Sequence, residues 1–205
     1  MTRQLSSFIA LVLLATLLAC AAWHDARACA CCTSPGERFD DVMPFDSYYS
    51  EQLRQIRFGE TVKLHLGEAE PETVQGITTP SDKYEVQAAW RGKQLIFTLR
   101  DKAGRSGQLI VTQPKNISVF RVDPRPQVQP EPPRGPPLYV EWRLTSKAAG
   151  AGVFAVGTGA RQSLTLVLQG SGNNCSAATD FTHWMLVMDG PKAKYHFFGE
   201  LIALR

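Results

Sequence analysis

Phe181-Thr182-His183-Trp184-Met185-Leu186-Val187-Met188 and Tyr195-His196-Phe197-Phe198-Gly199-Glu200-Leu201 are separated by Asp189-Gly190-Pro191-Lys192-Ala193-Lys194. Both segments alternate large apolar residues with other types, the period of a strand that buries one face. The intervening turn residues invite them to pair as a hairpin. With Met188 opposite Tyr195, one face gathers Trp184, Leu186, Met188, Tyr195, Phe197 and Leu201, which is a core surface. The other face then holds His183, Met185, Val187, His196, Phe198 and Glu200, with His183 opposite Glu200. A slip of one residue would exchange the two faces.

Working back along the chain, the same pattern recurs. Leu138 to Leu144, Gly152 to Val156 and Ser163 to Gln169 read as strands, the last by the alternation of Leu164, Leu166 and Leu168. Tyr84 to Trp90 and Leu95 to Arg100 are joined by Arg91-Gly92-Lys93-Gln94, where glycine supplies the turn's unusual backbone angle. Gln108 to Thr112 and Ile117 to Val122 continue the meander. Val62, Leu64 and Leu66 alternate with Lys63, His65 and Gly67 in a further strand. Asp46-Ser47 can cap a short helix with Tyr49, Leu53 and Ile56 on one face, ended by Gly59. Thr33 to Pro44 is polar and turn-rich. Short strands at this spacing predict a mostly β chain, an antiparallel β-sandwich or barrel-like fold with one short N-terminal helix.

Residues 123–137 hold seven of the chain's 13 prolines and cannot join a sheet, because proline donates no backbone hydrogen bond. The flanking halves are each marginal as independent domains, so the segment reads as a loop within one β-rich domain spanning 61–205. Gly157-Thr158-Gly159 is not followed by the lysine and helix of a phosphate loop, and turn glycine is the better reading. Asn116-Ile117-Ser118 fits a glycosylation sequon, a pattern common by chance.

The N-terminal 28 residues have the layout of an export signal. Ser6 to Ala22 is nearly all apolar, and Ala26-Arg27-Ala28 supplies a small-residue cleavage pattern that leaves Cys29 first. Two alternatives compete: an uncleaved anchor, since the run approaches the ~20 residues that cross a bilayer, and lipidation at Cys20. The stretch Leu17-Leu18-Ala19-Cys20 resembles a bacterial lipoprotein signal, with a bulkier residue at Leu18 than that pattern prefers. Conventional cleavage predicts a periplasmic or secreted protein, and lipidation predicts an envelope protein anchored at Cys20. Removing residues 1–28 leaves 20 basic and 18 acidic residues. The basic residues are scattered singly, without interleaved aromatics, so the sequence offers no nucleic-acid surface. The partner it suggests is an envelope protein or a small ligand.

The chemistry concentrates in cysteine. Residues 29–60 open on Cys29-Ala30-Cys31-Cys32, and Cys175 stands far downstream. A bond between adjacent Cys31 and Cys32, or across Cys29 and Cys31, strains disulfide geometry. Cys175 therefore pairs best with one of the three, closing a loop of about 145 residues that stabilises the fold by roughly 5 kcal/mol in the chain-entropy model. Two neighbouring thiols remain. They can bond to each other, pair with another protein, or bind a soft metal. Copper suits Cys29, Cys31 and Cys32, with Cys175, His183, Met185 or His196 completing the shell; zinc would take the four cysteines. A third reading makes Cys175 a nucleophile with His183 as base and Asp180 as orienter, in a hydrolase or thiol exchanger. No acid/base carboxylate spacing and no His-Glu-x-x-His motif is present. The function expected is that of a non-enzymatic binding or structural β-domain in the cell envelope, with no cofactor; copper handling is the alternative.

Overall fold

The computed structural model describes residues 36–65, 74–123, 138–172 and 177–204. Cys20, Cys29, Cys31, Cys32 and Cys175 lie outside the described residues, as do residues 1–28, read above as an export signal, and Leu66.

The chain is mostly β. Among the described residues, eleven antiparallel strands form a single sheet: β1 (Arg38–Pro44), β2 (Phe58–His65), β3 (Lys83–Arg91), β4 (Gln94–Asp101), β5 (Ser106–Thr112), β6 (Asn116–Val122), β7 (Leu138–Lys147), β8 (Ala149–Gly152), β9 (Ser163–Gly172), β10 (Phe181–Asp189) and β11 (Tyr195–Leu201). Their spatial order is β1-β6-β7-β9-β10-β11-β2-β3-β4-β5-β8. The sheet bends over on itself, so β5 lies against β7 and β9. The Phe97 ring of β4 stacks on Trp184 of β10 at 5.1 Å between centroids. The core therefore fills the space between two layers, as in a sandwich.

The inner strands feed this core with every second residue. Leu95, Phe97 and Leu99 of β4, Trp142 and Leu144 of β7, Leu164, Leu166 and Leu168 of β9, and Trp184, Leu186 and Met188 of β10 are almost wholly buried. At about 25 cal/mol per Å² of apolar surface removed from water, each such side chain contributes roughly 1.5–3 kcal/mol.

The turns follow local chemistry. Gly92, at φ +59°, turns β3 into β4 between the paired Arg91 and Gln94. Between β4 and β5 the Asp101 carboxylate accepts from the backbone N–H groups of Ala103 and Arg105 and from Arg105 Nε at 2.6 Å. Val122 of β6 and Tyr139 of β7, described residues on either side of the proline-rich segment, belong to neighbouring antiparallel strands and are direct partners.

Helix α1 (Ser47–Gln55) begins as expected: the Asp46 side chain accepts from Tyr49 N–H. It buries Tyr49 and Leu53, setting the Tyr49 ring edge-on to Trp142 at 4.9 Å. Three expectations need correction. The helix ends at Ile56, where Arg57 reaches back to the carbonyls of Arg54, Gln55 and Ile56, and Gly59 belongs to β2 instead. Arg38–Pro44, read as turn-rich, is strand β1, which precedes the helix. It is an edge strand exposed along most of its length, so it carries no one-sided apolar alternation. The strand placed at Gly152 to Val156 is β8, shifted to Ala149–Gly152, and Ala155–Gly157 is a 3-10 turn. Alanine and glycine give almost no periodic signal there.

Candidate functional site

The hairpin of β10 and β11 has the register read from its sequence: Met188 pairs with Tyr195 and His183 with Glu200. Its core-facing side holds Trp184, Leu186, Met188, Tyr195 and Phe197, all buried. The other side belongs to a broad outer face on which the pairings align residues into three rows. One row runs Asp40, Phe120, Glu141, Gln169, His183, Glu200 across β1, β6, β7, β9, β10 and β11. The next runs Ser118, Arg143, Val167, Met185, Phe198, Lys63, ending on β2. The third holds Thr145, Thr165, Val187, His196 and His65.

Where β11 meets β2 the first row breaks. Gly199 pairs with Val62 but Leu201 with Phe58, so β2 carries extra residues opposite Glu200. The irregularity is held from the core side. Trp184 and Gly199 are partners, and a Cβ on residue 199 would lie 2.5 Å from the indole, so only glycine fits under that ring. The indole Nε1–H donates to the Glu200 carbonyl at 3.1 Å. A Cβ at Gly59 would lie 2.9 Å from the same carbonyl. These contacts open a depression of about 400 Å³ lined by Gly59, Glu60, Thr61, Lys63, His183, Phe198, Gly199 and Glu200. It presents two carboxylates, an ammonium, an imidazole and a phenyl ring, a set that suits a small polar molecule with one apolar side.

A polar cluster adjoins it through Gln169. Glu141 Oε1 accepts from Tyr139 Oη at 2.6 Å and Gln169 Nε2 at 2.9 Å, and its Oε2 accepts from Arg143 Nε at 2.9 Å. Burial opposes the charge on Glu141, but the bonds from Tyr139, Gln169 and Arg143 outweigh it and hold its pKa below the usual value. Burial and the bond to Glu141 push the Tyr139 phenol up. Arg143 also lies 5.6 Å over the Phe120 ring. Both oxygens of this carboxylate accept hydrogen bonds, so the cluster ties β7 to β9 across this face.

In the third row His65 and His196 are direct partners, their rings 6.4 Å apart between centroids and 11° from parallel. Burial, the charge of His65 and that of Lys194 lower the His196 pKa, with Asp189 opposing.

The residues singled out from sequence are distributed as follows. His183 and Glu200 meet, as expected. His183, Met185 and His196 share the outer face, but His183 and His196 lie two rows apart, about 13 Å along the strands. Among the described residues no group of three His, Cys, Asp or Glu side chains is close enough to hold a metal ion. Of the hydrolase set, Asp180 is buried and accepts from Ala177 N–H at 2.9 Å, while His183 is exposed with Nδ1 at 2.8 Å from Thr182 Oγ1. Sequence reasoning missed the His65–His196 pair, the Glu141 cluster and the break at Gly199. The first depends on pairing β2 with β11, more than a hundred residues apart, which no local turn determines. The one available clue to the last was a glycine interrupting an otherwise regular strand.

A second depression, about 430 Å³, lies beside the end of α1 and includes Arg57, Phe58, Val86 and Leu95. Arg54 spans part of it, 5.0 Å over the Trp90 ring and bonded to the Gly92 carbonyl. It brings together no acid–base neighbours like those at Gly199. No helix among the described residues is long and apolar enough to cross a membrane. Compared with known proteins, the chain matches no family model, no curated protein and no solved structure.

Proposed function

We propose that this chain is an exported, non-enzymatic β-domain of the cell envelope that binds a small polar ligand, or a polar side chain of a partner, in the depression at Gly199. The observation that carries this reading is the break in the sheet there: two glycines and a buried tryptophan maintain an opening lined by Glu60, Lys63, His183, Phe198 and Glu200. The N-terminal cysteines, one of them bonded to Cys175, tether the start of the mature chain. The test is ligand-observed NMR with a panel of small amines, sugars and carboxylates. A hit whose saturation transfer disappears in Phe198→Ala and Glu200→Gln, both folded by circular dichroism, supports the reading; hits insensitive to both variants reject it.

Copper handling through Cys29, Cys31 and Cys32 is the second reading, favoured by three soft ligands within four residues. Intact mass after alkylation of the natively exported protein, denatured without reductant in strong chelator, separates the two. A chain starting at Cys29 with no alkyl groups carries two disulfides and removes the thiolate site. Two or more alkylated cysteines promote copper to first place. A lipidated Cys20 would replace the free-periplasm location by an anchored one.

A further inference from the structure

The His65–His196 pair carries an inference that does not rest on the depression or on the cysteines. The two imidazoles are cross-strand partners on β2 and β11, on the side of the sheet away from the core. His65 is exposed and His196 half-buried. Unlike His183, neither ring makes a hydrogen bond among the described residues. Their rings stand nearly parallel at 6.4 Å, with Phe198 against His65 at 6.3 Å. Lys63 and Lys194 add positive charge nearby, and Asp189 is the acidic group that acts on His196.

The two neighbouring imidazoles have no hydrogen-bond partner among the described residues, so ring nitrogens of both are free to turn toward one metal ion. A cation at 2.0–2.1 Å from each nitrogen holds the two nitrogens roughly 3 Å apart. Directly opposed strand residues have Cβ atoms about 5 Å apart, so turning both rings about χ1 and χ2 closes that gap without moving the backbone. We propose that His65 and His196 form a two-imidazole chelate for a borderline divalent cation, Cu(II) foremost, with water filling the remaining positions. Imidazole nitrogen favours copper over the other first-row divalent ions, and two neutral ligands leave the positive charge on the metal, where Asp189 can offset it from outside the first shell.

The test uses the full chain with free thiols capped by iodoacetamide, so that cysteine neither binds nor reduces the probe. One equivalent of Cu(II) is followed by electron paramagnetic resonance and by calorimetry in competing glycine. The expected result is nitrogen superhyperfine structure from two imidazoles and a Kd weakened roughly a hundredfold in both His65→Gln and His196→Gln, because each variant removes the chelate advantage. His183→Gln, which alters a histidine on the same face, should retain the signal and the Kd. Metal-free melting curves of each variant identify any that fails to fold, and the other variant then decides. A weakening of less than about tenfold in a folded variant, or an equal loss in His183→Gln, overturns the proposal.

Discussion

The two sides of β10 and β11 are built on opposite terms. On the core side, Trp184, Leu186, Met188 and Phe197 are held by volume: they have no measurable exposure, and Trp184 packs against Phe97 at 5.1 Å and Phe58 at 5.2 Å. On the outer side the same strands carry His183, Met185, His196 and Phe198, held by register rather than by packing. Yet the sides meet at one point, where the Trp184 indole supports the Glu200 carbonyl and Gly199 makes room for it. A side chain that fills the core also shapes the surface.

The largest effect should come from removing that link. Trp184→Ala should lower unfolding free energy by about 4 kcal/mol, through lost apolar burial and the cavity left behind, as read by urea denaturation. If the two sides were independent, the outer depression would survive; we expect its ligand contacts to be lost together with stability. Gly199→Ala approaches the same point from the other strand. Its added methyl should cost about 2–3 kcal/mol by overpacking against the indole, and a neutral result would mean that the break does not depend on close contact.

Glu141→Gln tests whether the outer side contributes stability of its own. The expected loss is about 1–2 kcal/mol near neutral pH, reduced by the partial exposure of Arg143. The sign of its pH dependence follows from the lowered pKa. Stability from the ionised carboxylate is fully present above the unfolded-state value near 4.3 and is lost as pH falls through the lower folded-state value. Acid denaturation of the wild type should therefore be steeper below about pH 4.5 than that of the variant. Phe198→Ala should have the smallest effect: the ring is 41% exposed, and a stability change within about 0.5 kcal/mol is expected while the ligand signal is lost. A much larger loss would move Phe198 from the surface account to the core account.

The difference between the two sides also explains what could be read from the chain. Alternation announces a buried face, so the strands around Trp184, Leu166 and Phe97 and the pairing of Met188 with Tyr195 were legible. A six-residue turn limits the partners its flanking strands can choose. Arg38–Pro44 was not legible because an exposed edge strand has no side to bury, and Ala149–Gly152 because its side chains are too small to mark a period. His183 and Glu200 could be placed together within one hairpin. Glu141 and Gln169 could not, since β7 and β9 are separated by β8 and a 3-10 turn and their register carries no local signature. His65 looked like an isolated outward histidine because its partner lies on a strand chosen by the whole topology.

That topology has a consequence for the order of assembly. β11, last in sequence of the described strands, is the sixth of the eleven in the sheet, and it joins β10 on one side to β2 on the other. Hydrogen-bonded pairing across the sheet therefore remains two separate ladders until the final strand is available. Contacts such as Phe197 with Leu64 bridge most of the chain's length and form only at high loop-closure cost. Without β11 the two half-sheets can meet face to face, as β5 meets β7 and β9, but they share no hydrogen-bonded ladder.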